Sequence, residues 1–392
     1  MTLYNRENTL TDVKHINERI VDKPETNSNT NKNTNKNTNK NTNKNTNKKV
    51  IADEKPIEPT MTGSEPHNSA TIEKNTSSQK PYKPVKTVMA PPFTVSFLHP
   101  KYWGVWFGAG LLYVITWLPL PMIKLVARVV AKLTAVLVPK RIQIARKNLE
   151  LCYPSWSAQK RDKVLKDNVF RTSMGLFETG MGWWWPEWRV RRVAEVEGLD
   201  NALKVLASGK GVFGLTLHNV NLEIGCRIIG YAHPCIAFYR KHNNPLINYM
   251  QYHGRNRSNK YMIDKRNAKA LIQAMNENEF CLYFPDQDYG KSTSIFVPFG
   301  GVARTATTTA TLMFANRANC VPLMVVSQYT KKGYKVKIGA PIDYLADKDQ
   351  EVALTKLNED VLKVVNEQPD SYLWMHKRFK TRPVDQPESL YK

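Results

Sequence analysis

With 392 residues and 42% apolar side chains, the chain has the material for a sizeable core, which excludes a protein disordered throughout. Its net charge of +23 attracts nucleic acid, anionic lipid headgroups, phosphorylated substrates or an acidic protein, and does not choose among them. The five cysteines are scattered, odd in number and free of any CxxC pair, which argues against a disulfide framework or a zinc site and favours a reducing compartment.

The first 90 residues stand apart. Five copies of Asn-Thr-Asn-Lys run from Asn29 to Lys48 among few apolar residues, so residues 1–90 are expected to be disordered. They hold 15 Lys+Arg against 10 Asp+Glu, leaving +5 for this tail and +18 for the rest. The basic character therefore belongs mainly to the folded part.

From Tyr102 to Ile123, "YWGVWFGAGLLYVITWLPLPMI" has no charged residue and carries Tyr102, Trp103, Trp106 and Trp117 toward its ends. That length and those aromatic rings predict a membrane helix over 102–123, with Pro119 and Pro121 working against a regular span. Lys124, Arg128, Lys132, Lys140, Arg141, Arg146 and Lys147 follow before the first acid, Glu150, which places the C-terminal domain, 124–392, on the cytoplasmic side. Ile123, Val126, Ala127, Val130, Ala131, Leu133 and Leu137 interleave with those bases at helical spacing. This reads equally as a helix along an anionic membrane surface or one packed on the core.

Beyond residue 190 the pattern alternates. Strands are predicted at 211–217, 235–239, 280–284, 321–329 and 334–338, and helices near 246–254, 267–276, 302–316 and 350–366. The fold class is an α/β layered domain.

Within "GLTLHNVNLEIG", His218 follows a strand and Glu223 falls in the first turn of a helix that Asn219 or Asn221 can cap. Residues five apart on one helix point about 140° apart, but a histidine on the preceding turn can meet the glutamate. Glu223 would then accept from one ring nitrogen and leave the other as a base. A packed histidine remains open, whereas a metal ligand lacks partner ligands at suitable spacing, and no metal is expected. "HGRNRSNK" (253–260) reads as an extended segment presenting Arg255 and Arg257 on one side, suited to a phosphate or carboxylate, or as a solvated basic loop. "FPDQDYG" (284–290) puts Asp286 and Asp288 just past a strand, where functional loops collect, and equally reads as a connecting turn.

The blocks "LFETGMGWWWP", "HNVNLEIG", "FYRKHNNPL", "GRNRSNKYMIDKR", "FPDQDYG" and "SIFVPFGGVARTATTTAT", spread from about Phe93 to Arg382, resemble the late acyltransferases of lipid A biosynthesis in order and spacing. The resemblance is to the lauroyl-type Kdo2-lipid IVA acyltransferases. It implies a bacterial inner-membrane enzyme of lipopolysaccharide biosynthesis with an α/β domain related to the glycerolipid acyltransferases. Such an enzyme moves an acyl chain from acyl carrier protein to a 3-hydroxyacyl hydroxyl of a phosphorylated glucosamine disaccharide, without cofactor.

His218 and Glu223 fall on the family's His-x4-Asp/Glu pair, as base and orienting carboxylate. Arg255 falls on its arginine and Asp286 on the first aspartate of Pro-Asp-x-Asp, read as phosphate binding and site architecture, with Arg257 and Asp288 beside them as further substrate-binding candidates. The Asn/Thr/Lys tail departs from the family. Gln287 departs toward the myristoyl branch, while Tyr289 and "GRNRSNK" lean to the lauroyl one.

Two alternatives accompany this reading. A lysophospholipid or glycerol-3-phosphate acyltransferase uses the same His-x4-Asp pair, but with Asn before the His and a "FPEGTRS"-like block. A non-enzymatic binder of anionic lipid or nucleic acid would account for the charge alone; no zinc-finger or RNP-like pattern supports it, and nucleic acid is not expected as a partner.

Overall fold

The computed structural model describes residues 84–392. The expectation for residues 1–83 lies outside them. At the start of the described chain, Val88 donates its N–H to Met262 (2.9 Å), and Tyr252 Oη donates to the Val88 carbonyl (3.0 Å). The expected disorder therefore does not extend through residue 90: this stretch is tied to the domain by backbone hydrogen bonds.

After two short 3-10 turns at Val95–Leu98 and Pro100–Tyr102 come four α-helices: α1 (Trp103–Thr116), α2 (Leu120–Leu137), α3 (Pro139–Cys152) and α4 (Ala158–Trp184). The expected membrane helix over 102–123 is not formed, and among the described residues no helix is long and apolar enough to cross a membrane. α1 has 14 residues, about 21 Å of rise against the roughly 30 Å of a hydrocarbon core. Two prolines end it. Pro119 has no N–H to continue the ladder and biases Leu118 away from helix, while Pro121 opens α2. The domain takes the carbonyls so released: Trp185 Nε1 donates to Thr116 (2.7 Å), and Arg189 Nη2 to Trp117 (2.9 Å) and Leu118 (2.7 Å).

The remaining elements are α5 (Glu187–Arg191), β1 (Ala194–Glu197), α6 (Leu199–Ala207), β2 (Gly211–Leu215), α7 (Leu222–Ala232), β3 (Cys235–Tyr239), α8 (Pro245–Arg255), β4 (Asn259–Asp264), α9 (Ala268–Asn276), β5 (Phe280–Tyr283), β6 (Ser294–Phe299), β7 (Val302–Thr308), α10 (Ala310–Arg317), β8 (Cys320–Tyr329), β9 (Tyr334–Pro341) and α11 (Gln350–Glu367). Seven strands form one sheet in the order β1-β9-β8-β2-β5-β3-β4, parallel except for the β8/β9 pair. The layered α/β expectation holds. The helix expected near 302–316 is half strand: "VARTATT" is rich in β-branched threonine and pairs antiparallel with β6, so the helix begins only at Ala310.

The central strands are buried on both faces, and period-2 alternation divides their side chains between two cores. Phe213, Leu215, Cys281 and Tyr283 join α3, α9, α10 and α11 on one face. Val212, Phe280 and Leu282 join α2, α6 and α7 on the other. Helix α4, capped by Ser157 accepting from the Lys160 N–H (3.2 Å), is long enough to contribute to both cores.

Candidate active site

β2 and β5 are adjacent and parallel, with Leu215 opposite Tyr283. His218 lies three residues beyond Leu215, and Asp286 three beyond Tyr283. The register thus brings both to the carboxyl end of the sheet, where α/β folds gather ligands. His218 Nδ1 lies 2.7 Å from Asp286 Oδ1, and the His218 backbone N–H donates to Oδ2 at 2.9 Å. The aspartate side chain is completely buried, while the imidazole is 23% exposed. Burial by itself would raise the Asp286 carboxyl, yet the charge and hydrogen bonds of His218 hold it below its ordinary range. An ionised carboxylate on Nδ1 requires the proton there and leaves Nε2, which has no hydrogen-bond partner among the described residues, as the basic atom.

The turn around His218 is fastened on three sides. Leu373 N–H donates to the His218 carbonyl (3.0 Å), Val220 N–H to Ser371 (2.8 Å), and Tyr372 Oη to the Asp286 carbonyl (3.1 Å). Asn219 reaches the Ser327 carbonyl, and Asn221 accepts from Ser327 Oγ instead of capping α7 with its side chain. Helix α4 comes close through Gly175 and Gly182, where a Cβ would lie 2.6 Å from the Val220 carbonyl oxygen and 2.9 Å from that of Glu223. The ring of Phe284 lies 4.8 Å from that of His218.

Glu223 does not meet His218. It is in the first turn of α7 as expected, but both of its oxygens are held elsewhere: Arg255 Nε lies 3.1 Å from each, Arg255 Nη2 also bonds Oε1, and Trp183 Nε1 donates to Oε2 at 3.1 Å. The carboxylate that orients His218 is therefore Asp286, not Glu223. The reason is reach, since the strand register delivers Asp286 directly under the imidazole while α7 turns Glu223 toward α4 and α8.

Arg255 is the last residue of α8, and Arg257 lies in the following turn, donating from Nη1 to the Trp183 carbonyl (3.0 Å). The two do not project alike from an extended segment. Asp288 accepts from Thr381 N–H (2.7 Å), Thr381 Oγ1 (2.8 Å) and Gly290 N–H (2.9 Å), so it fastens the C-terminal segment to this loop.

Residues 90–381 match the model of the bacterial lipid A biosynthesis acyltransferases. The chain belongs to this family. It is 39% identical over 302 residues to the lipid A biosynthesis palmitoleoyltransferase of Escherichia coli K12, covering 76% of this chain and 98% of that one. To the lauroyltransferase of the same organism it is 38% identical over 304 residues, again 76% and 98%. To its myristoyltransferase the identity is 26% over 298 residues, 74% of this chain and 91% of that one. The protein is thus an acyltransferase of lipid A biosynthesis, and the matched region contains His218, Glu223, Arg255, Arg257, Asp286 and Asp288.

Sequence reasoning missed Trp183, Phe284 and Tyr372 as neighbours of Glu223, His218 and Asp286. The first two lay in quoted blocks, "LFETGMGWWWP" and "FPDQDYG", but their hydrophobic character reads as ordinary core. Tyr372 carried no motif signal and arrives only through the return of the C-terminal segment.

Proposed function

We propose that the protein transfers a fatty acyl chain from acyl carrier protein to a 3-hydroxyacyl hydroxyl of Kdo2-lipid IVA, with His218 as general base. The observation that carries this reading is the His218–Asp286 pair at the carboxyl end of the parallel sheet, within a chain of this family. The acceptor oxygen attacks the thioester carbonyl carbon as its proton passes to Nε2. The tetrahedral intermediate collapses, the carbon–sulfur bond breaks, and the leaving thiolate takes up the proton from the imidazolium. Asp286 stabilises the imidazolium formed on the way, the role a buried carboxylate plays behind a histidine base. Glu223 acts through Arg255 and Trp183, positioning the start of α7. The higher identity to the palmitoleoyl- and lauroyltransferases than to the myristoyltransferase supports action in their branch.

The reading extends to the bacterial inner membrane, with the sheet domain on the cytoplasmic side and the protein lying on the bilayer rather than crossing it. α1 exposes Trp103, Phe107, Leu111 and Val114 at helical spacing, and α2 exposes Leu125, Val129 and Leu133 between Lys124, Arg128 and Lys132. Exposed apolar stripes beside bases match an anionic lipid surface. Expression in cells whose lipid A lacks secondary acyl chains, followed by mass spectrometry of that lipid, tests the activity. One added acyl mass with the native chain and none with His218→Ala is expected; lipid A unchanged by the folded native protein overturns the proposal.

A further inference from the structure

Beside the His218–Asp286 pair, on the far side of Phe284, a cavity of about 60 Å³ opens between the end of α4, the first turns of α7, β4 and the end of α8. Its walls include Trp183, Cys226, Arg227, Arg255, Ser258 and Phe284. Roughly four water molecules would fill that space, as would one tetrahedral anion. Arg227 had no place in the sequence motifs or in the proposed chemistry, yet it is the most unusual group in this wall. It is 2% exposed, and its Nε and Nη1 have no hydrogen-bond partner among the described residues. Nη2 makes a single long contact, 3.3 Å, to the Trp185 carbonyl, and the guanidinium carbon lies 4.4 Å from the centre of the Tyr231 ring.

Among the described residues no carboxylate forms a salt bridge with Arg227. Glu223, in the same wall, is taken by Arg255, and Glu187 is taken by Arg191. Arg257 adds a further positive charge nearby. A buried guanidinium with two idle donors costs several kcal/mol by desolvation, and an anion held in the adjoining cavity, whose wall is otherwise largely apolar, would offset that cost. Burial pushes its pKa down to about 10, which leaves it charged at neutral pH.

We infer that this cavity is a phosphate subsite in which Arg227 is the principal ligand, Arg255 supplies a second positive charge from its Glu223-held position, and Ser258 offers a hydroxyl. Among the described residues the Arg227 guanidinium keeps idle N–H donors at Nε and Nη1, and each can donate to a phosphate oxygen. The two phosphates within reach of the proposed reaction are that of the phosphorylated glycolipid acceptor and the phosphodiester of the carrier's prosthetic arm. The naming of these sources rests on the proposed function; the subsite itself does not.

The experiment begins with binding, without acyl transfer. The full chain in detergent is titrated with inorganic phosphate against chloride at equal ionic strength, and its melting temperature is followed. A saturable, phosphate-specific rise is expected for the native chain and for Arg227→Lys to a smaller degree, and none for Arg227→Met, whose circular dichroism should remain native. An equal rise in Arg227→Met, or none in the native chain, overturns the subsite. A failure of acyl transfer alone leaves this result untouched and counts against the proposed reaction instead. In turnover, Arg227→Met should raise a KM by at least about tenfold, the loss expected for a charge-assisted hydrogen bond. A rise confined to the phosphorylated acceptor and absent with its dephosphorylated form assigns the phosphate to the glycolipid. A rise confined to the carrier-bound donor, absent with acyl-pantetheine lacking the phosphate, assigns it to the carrier. Unchanged KM values for both substrates overturn the role.

Discussion

Asp286 holds His218 at two points, its Oδ1 against the imidazole Nδ1 and its Oδ2 against the backbone N–H, so one buried carboxylate fixes both the ring's tautomer and the turn that carries it. Asp286→Asn keeps the shape but can present an amide N–H to Nδ1, favouring the tautomer with the proton on Nε2. Turnover should fall by about 10²–10⁴-fold, as for His218→Ala, with membrane association retained. Because the two act as a unit, the double variant should be little slower than the slower single one. Losses that multiply, measured as kcat/KM, would refute the pairing.

Glu223 and Arg255 form a pair of their own, so their effect should appear first in stability. Glu223→Gln and Arg255→Lys each lose part of a bidentate contact that is mostly shielded from water. A double-mutant cycle on denaturant unfolding should return a coupling of about 1–3 kcal/mol. A coupling near zero would mean that the pair is held by its surroundings and not by itself.

The pH dependence of stability should reveal Glu178. This carboxyl is completely buried in α4, accepts from Tyr329 and Tyr334 hydroxyls at 2.9 Å each, and is pushed up to about 8 by burial. A folded-state pKa above the unfolded one means that the folded protein binds the extra proton. The associated stability is therefore complete below about pH 4.5 and is lost as pH rises through 8. Glu178→Gln retains a hydrogen-bonding group without the charge, so its melting temperature should fall less between pH 5 and 8.5 and exceed the native value by a few degrees at the upper end. Parallel curves for the two proteins would place the ionisation elsewhere.

The exposed stripes of α1 and α2 should govern lipid binding without supporting the core. Phe107→Glu with Val129→Glu alters two side chains already in solvent, leaving the melting temperature nearly unchanged. Partitioning onto anionic vesicles in a flotation assay should drop at least about tenfold, the equivalent of withdrawing one or two large apolar groups from lipid. Unaltered flotation would assign anchoring to another surface.

Much of this was legible in the chain itself. The apolar runs at 211–217 and 280–284 announce strands because a doubly covered parallel sheet needs continuous hydrophobic residues. The blocks around His218, Arg255 and Asp286 are local enough to identify the family. The helix carrying Glu223 begins where its polar turn ends, as expected. Even the break after Thr116 was written in Pro119 and Pro121, though the uncharged run of 22 residues outweighed them.

Partner choice was different, because it depends on contacts between residues distant in the chain. His218 and Asp286 are 68 positions apart and meet only because Leu215 stands opposite Tyr283 in a sheet whose strand order departs from chain order. Glu223, five residues from His218, is drawn instead to Arg255 at the end of another helix and to Trp183 at the end of a third. Sequence spacing constrains how far a side chain can reach, but an ion pair forms with whichever opposite charge the packed elements bring within hydrogen-bonding distance. Local sequence thus determined the strand, the turn and the chemistry of the groups on them; strand register and helix docking decided which carboxylate answers the histidine and left Arg227 buried with none of the described carboxylates paired to it.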